Sequence, residues 1–379
     1  MRGIYWRPSR VSNNVLATIA GLAIAGLVVV QIFPTRTSET YYLQMLEAAT
    51  LARRAFDELK KERRSRGIEI HPVADPTQSG LIGISMSEVT TNTGYLPAKQ
   101  TAINPNWAAL MVHLLKEADV QAGDTVAVGL SGSFAAINVS VYAALETQKL
   151  RPIVISSASS SQWGANHPRF LWLDMERTLH ARKIISFRSV AASLGGAEDR
   201  AIGLSDEGIR LLQRAIRRTK IPMIEVENYA ESVVERMRIY REAAGGSPIR
   251  VYINVGGSTA SVGTSRMKVR FQPGLNDRLP SGAGAVDSVM ARFLEEDVPV
   301  IHFVQIDQLA RRYGLPVQPT VMPPVGTGQI FLQRRYNPWL ASGVLAVIVA
   351  SLLLFVRSGR GRMAFQRAGY EPDYLEPRV

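Results

Sequence analysis

The chain has 379 residues, a formal net charge of +12 and no cysteine. That length accommodates one large or two ordinary domains, and the 46% hydrophobic content excludes a disordered chain. Without cysteine there are no disulfides, no zinc–thiolate sites and no thiol nucleophile.

Residues 1–14 hold Arg2, Arg7 and Arg10 and precede an uncharged apolar run, Val15 to Phe33. Its length is close to the roughly 20 residues that cross a hydrocarbon core, so it is predicted as a transmembrane helix. A second uncharged run, Trp339 to Val356, is predicted as another. Pro34-Thr35-Arg36-Thr37 offers no small-residue cleavage site, which favours an uncleaved anchor over a signal peptide. Arg357, Arg360, Arg362 and Arg367 follow the second run in a basic tail over 357–379, against Arg334 and Arg335 before it. The basic residues at both ends place the termini in the cytoplasm, and 67–330 then lies outside a cell membrane. The lipid bilayer is the partner that follows.

Residues 38–66 read as a charged amphipathic helix, with Tyr42, Met45, Ala49, Ala52, Phe56 and Leu59 forming one apolar seam. The seam suits either packing on the domain or a stalk, and its alanines favour packing. From 67 to 330 short apolar strands alternate with helices. The strands are Thr125–Ser131, Arg151–Ser157, Ile249–Val255 and Val298–Val304, with Lys183–Phe187 and Pro222–Val226 also extended. Helices fall at 104–115, 133–146, 168–183, 206–219 after the cap Ser205, 228–244, 285–296 and 305–314. This pattern predicts an α/β fold with a mostly parallel sheet and helices on both faces.

Ligands of parallel sheets gather beyond the carboxyl ends of the strands. Three loops at such ends are rich in glycine and hydroxyl groups: Gly129 to Ser133, Ser156 to His167, and Gly256 to Ser261. Within them Gly129, Gly132, Ser133, Ser159, Ser160, Asn166, Gly256, Gly257, Ser258 and Thr259 are candidate ligand-binding residues. Glycine admits a ligand to the backbone and helix starts present N–H groups, so a carboxylate or phosphate is the natural guest. Tight strand-to-helix turns also use these residues for purely structural reasons.

Ser131, in GLSGS, stands near the pattern of a nucleophile elbow, although Ser133 occupies the last glycine position. His167 and Asp174 are candidate base and orienter, in an order foreign to α/β-hydrolases; Asp287 with His302 restores that order. Asn254 to Thr259 lacks the lysine of a phosphate loop, and the histidines show no metal-ligand spacing. No cofactor and no metal are expected. Arg210, Arg214, Arg217 and Arg218 share one face of the helix after Ser205. That face is either solvated or, through Arg210, Arg214 and Arg217, a docking strip for a polyanion; nucleic acid is not expected.

Taken together, Gly129–Glu146 (GLSGSFAAINVSVYAALE), Ser156–Pro168 (SSASSSQWGANHP) and Tyr252–Gly263 (YINVGGSTASVG) resemble the poly-γ-glutamate system protein family of bacteria. The two terminal apolar runs extend the likeness over nearly the whole chain. The resemblance implies a part in making or exporting an anionic poly-amino-acid and carries no catalytic residues over. It suggests a non-enzymatic accessory that binds poly-γ-glutamate, another polycarboxylate or a synthase subunit. A serine hydrolase or transpeptidase acting on γ-glutamyl amides through Ser131, and a purely structural scaffold, are the alternatives.

Overall fold

A computed structural model describes residues 13–263 and 269–357, which fall into two compact units. The predicted N-terminal segment lies outside the described residues except at 13–14, as does the basic tail beyond Arg357.

The smaller unit comprises residues up to Ser38 and from Leu332 onward. It contains helix α1 (Asn13–Ile32), strand β1 (Thr35–Ser38) and the helix Pro338–Arg357, with β1 paired antiparallel to Leu332–Arg335. A Cβ at Gly26 would meet the side chain of Val344, so this glycine lets the two helices approach closely. Many apolar side chains here are exposed, among them Leu27, Phe33, Leu345 and Leu354. Among the described residues no helix is long and apolar enough to cross a membrane. The expectation of transmembrane helices at 15–33 and 339–356 is corrected on this finding. The two-span topology and the cell-membrane location derived from it fall with it.

The larger unit, Glu39–Phe331, is an α/β domain built on a six-stranded sheet. Its strands are β2 (Thr125–Ser131), β3 (Arg151–Ser157), β6 (Ala191–Ser193), β7 (Ile249–Val255), β8 (Gly274–Asn276) and β9 (Val300–Phe303). A separate hairpin pairs β4 (Asn166–His167) with β5 (Phe170–Leu171). The sheet order is β6-β3-β2-β7-β9-β8, and only β8 runs antiparallel.

Successive residues of a strand face opposite sides, and the core divides accordingly. Val126, Val128 and Leu130 belong to one apolar cluster and Ala127 to the other. The first cluster receives α2 (Tyr42–Ser65), α4 (Trp107–Glu117) and α5 (Ala135–Thr147). The second receives α8 (Tyr229–Ala244) and the helix Val289–Glu295. Met45, Ala49, Ala52, Phe56 and Leu59 of α2 are buried, so its seam packs on the domain. Buried Arg63, at the end of α2, donates to the carbonyls of Glu69, Gly80 and Ile82 and ties down the following segment.

Within the larger unit, some sequence expectations differ from the structure. Lys183–Phe187 and Pro222–Val226 form no strands; the sheet edge is β6, three residues long, with one bridge from Ala192 to Met223. The helix expected from Pro168 begins only at Trp172, as α6 (Trp172–Ala181), because Phe170 and Leu171 enter the hairpin.

The chain starts the sheet at its centre. It moves outward through β3 to β6, then returns to the other side of β2 with β7 and β9. The order therefore reverses between β2 and β7, and a crevice opens beyond the carboxyl ends at such a reversal.

Candidate functional site

The crevice is present and the three Gly/Ser loops meet in it. Its volume is about 340 Å³, and it is lined by Ser131, Ser133 and Phe134 after β2, Ser157, Ser159 and Ser161 after β3, and Gly257, Ser258 and Thr259 after β7. Two further walls come from Thr91–Thr93 and from Gly196–Ala197. No charged side chain lines it among the described residues.

Gly256, at φ +93°, turns the chain out of β7 beside Ser131; a Cβ there would lie 3.1 Å from the Ser131 Cβ. Gly132 passes the next loop so closely that a Cβ would lie 2.8 Å from the Ser159 carbonyl oxygen. Ser131 Oγ donates to Ser133 Oγ at 3.0 Å and accepts from Ser133 N at 3.2 Å. Ser133 Oγ in turn accepts from Ser161 N at 3.1 Å, joining the ends of β2 and β3.

Helix α3 (Leu96–Ala102) carries Lys99 beneath this junction. The Lys99 ammonium donates to the Ser133 carbonyl and, at 2.9 Å, to Ser161 Oγ, and lies 3.8 Å from the centre of the Phe134 ring. Burial among uncharged groups lowers its pKa to about 7.

The walls are held by polar groups that do not face the crevice. Asn166 is fully buried: Oδ1 accepts from Ile84 N at 2.9 Å, and Nδ2 donates to Ile84 O at 2.8 Å and Thr90 Oγ1 at 2.9 Å. It fixes the segment that delivers Thr91–Thr93, whereas the sequence suggested a ligand contact. Asn166→Ala should destabilise the chain by about 2–3 kcal/mol, since it strands buried donors and acceptors. Hydrogen exchange should accelerate over residues 84–91; unchanged exchange there would contradict the tethering role.

On the opposite wall, buried Asp199 accepts from Ser193 Oγ at 2.7 Å, from Ser232 Oγ at 2.6 Å and from Arg236 Nη2 at 2.6 Å. Ser193 Oγ lies 3.3 Å from Ser157 Oγ, connecting this cluster to the crevice. Gly195, Gly196, Glu198, Asp199 and Ala201 all have positive φ. Such a backbone persists only where its surroundings over-determine it.

Gly129 and Ser160 are buried away from the crevice. A Cβ on Gly129 would strike the Tyr252 hydroxyl, and Ser160 Oγ donates to Ser161 O at 2.9 Å.

Ser131, His167 and Asp174 are not brought together. His167 Nδ1 accepts from Arg169 N at 3.3 Å, and burial followed by the nearby Arg169 charge lowers its pKa. Asp174 caps α6, accepting from Leu171 N at 3.0 Å, and takes two donors from Arg218. Neither lines the crevice. Asp287 pairs with Arg292, while His302, its pKa lowered to about 4 by burial, accepts on Nδ1 from Asn254 Nδ2 at 3.0 Å.

Arg210, Arg214 and Arg217 are exposed on α7 (Asp206–Thr219). Arg210 and Arg214 both close onto Glu207, at 3.1 Å and 2.6 Å, so part of that charge is compensated locally. Arg218 leaves the shared face and turns inward to Asp174. No family model, curated protein or solved structure matches the chain.

Proposed function

We propose that the chain binds a carboxylate-bearing ligand in the crevice, an acidic peptide for which poly-γ-glutamate is the case suggested by the sequence resemblance. The observation carrying this reading is the convergence of three hydroxyl-rich loops on one crevice at the strand-order reversal, with no acidic side chain in its lining. Hydroxyl groups adapt as donors to carboxylate oxygens. The Lys99 ammonium below the floor adds a positive potential whenever it is protonated, because charge acts over several ångströms in a low dielectric. A binding role needs no group beyond these.

Isothermal titration of the full chain with a γ-linked pentaglutamate should show saturable binding that weakens as salt rises. Ser258→Glu, which adds a carboxylate to the lining, should weaken that binding at least tenfold more than Ser258→Gln, which adds nearly the same volume without charge. Equal affinities for the two variants, or no binding by the wild-type chain, would defeat the reading.

A further inference from the structure

Ser161 and Lys99 form a close pair whose direct contact carboxylate binding does not require. Ser161 lines the crevice, is partly exposed to it, and has its Oγ 2.9 Å from Lys99 Nζ. Among the described residues no counter-ion accompanies the amine. The groups packed around Lys99 include Leu81, Ile82, Ile103, Phe134, Ala136 and Trp163, and none of its neighbours there is titratable. Most buried lysines find a carboxylate; an unpaired one can lose its proton and act as a base. Among the described residues its one polar side-chain partner is the Ser161 hydroxyl, on a residue that lines the crevice.

From this geometry we infer that Ser161 is a nucleophile activated by Lys99, and that the crevice supports acyl transfer on an amide or ester of the acidic ligand. The inference rests on the binding reading for the identity of the substrate alone. In the first step Ser161 Oγ bonds to the substrate carbonyl carbon and its proton passes to Lys99 Nζ. The tetrahedral adduct collapses, the carbonyl carbon–nitrogen or carbon–oxygen bond breaks, and Lys99 returns the proton to the leaving amine or alcohol. Water, or a second amine, then attacks the acyl-Ser161 carbonyl and gives its proton to Lys99. The carbon–Ser161 bond breaks, and the hydroxyl recovers its proton from Lys99. Two proton transfers in each half-reaction balance, and no metal or redox partner is required.

Hydrogen bonds hold the backbone that carries Ser161. Ser161 N is fixed by Ser133 Oγ, and the adjoining residue is fixed by Thr91 N donating to Ser160 O at 2.9 Å. A nucleophile held in this way does not have to be oriented at each turnover.

Labelling of the full chain with an alkyl fluorophosphonate, followed by peptide mass mapping, provides the test. One adduct is expected, on Ser161. Its rate should rise about tenfold per pH step below pH 7 and level off above, as Lys99 becomes a base. Lys99→Met should slow labelling about 100-fold or more. Lys99→Arg, which keeps a cation but cannot take up the proton, should slow it similarly, so that loss of fold is not mistaken for loss of the base. No adduct, an adduct on Ser131 or Ser133, or undiminished labelling of either Lys99 variant overturns the inference. Pentaglutamate binding by the unmodified chain is read separately. Binding without labelling fails the pair alone, and labelling without binding fails the ligand alone.

Discussion

Replacing Asp199 by Ala should cost the chain about 3–5 kcal/mol of stability, the loss expected when one member of a buried ion pair is removed. Asp199 and Arg236 are both buried, and removing the carboxylate leaves the guanidinium without its counter-charge. It also leaves Ser193 and Ser232 hydroxyls without an acceptor. The measurement is the urea midpoint at constant m-value. Arg236→Met should be comparably destabilising, while Asp199→Ala/Arg236→Met should lose less than the sum of the two single changes, because neither buried charge remains. A strictly additive result would show that the two groups act independently. Because Asp199 belongs to the run of positive-φ residues beside Gly196, Asp199→Ala should also loosen the wall of the crevice and weaken ligand binding.

The second large effect depends on pH and involves Lys99. Its pKa falls from an ordinary 10.5 in the unfolded chain to about 7 in the fold. Between those values the unfolded state holds one more proton than the folded state. Stability contributed through this group therefore rises with pH across that window and is lowest below pH 7, where the fold must bury the cation. Relative to Lys99→Met, the wild-type chain should gain about 3 kcal/mol between pH 7 and pH 9.5. Taking the difference between the two proteins cancels buried tyrosines such as Tyr142 and Tyr240, whose pKa values burial raises and which titrate in both. A pH-independent difference would mean that Lys99 stays protonated in the fold.

Much of the sheet could be read from residues alone. Thr125–Ser131, Arg151–Ser157 and Ile249–Val255 are strands because continuous apolar runs are buried on both faces. The edge strand β6 eluded the pattern because Ala191–Ser193 is too short to show any period. The apolar runs at the two ends carried an expectation of membrane spans that the described helices do not meet.

For the site, the three Gly/Ser loops were visible in the sequence and their meeting was not, since hydropathy does not determine sheet order. Lys99 gave no signal at all. A lone lysine between Ala98 and Gln100 reads as a solvated helix residue, and only the packing of α3 under Ser133 reveals its burial. Asp199 and Arg236 likewise are 37 residues apart in the chain and become partners only through the fold. Asn166 did attract notice, as a ligand contact, and the structure places it outside the lining of the crevice. Its amide secures the segment that brings in Thr91–Thr93, which no local motif announced.

The crevice draws its walls from five stretches of chain, the first near Thr91 and the last ending at Thr259. In order of synthesis the hydroxyl rows after β2 and β3 come first, and the wall after β7 comes last. A nascent or truncated chain that stops before Ser258 thus has most of the lining and no enclosed site. On the proposed function, affinity for a small acidic peptide would therefore belong to the finished domain alone and would report that β7 has taken its place in the sheet.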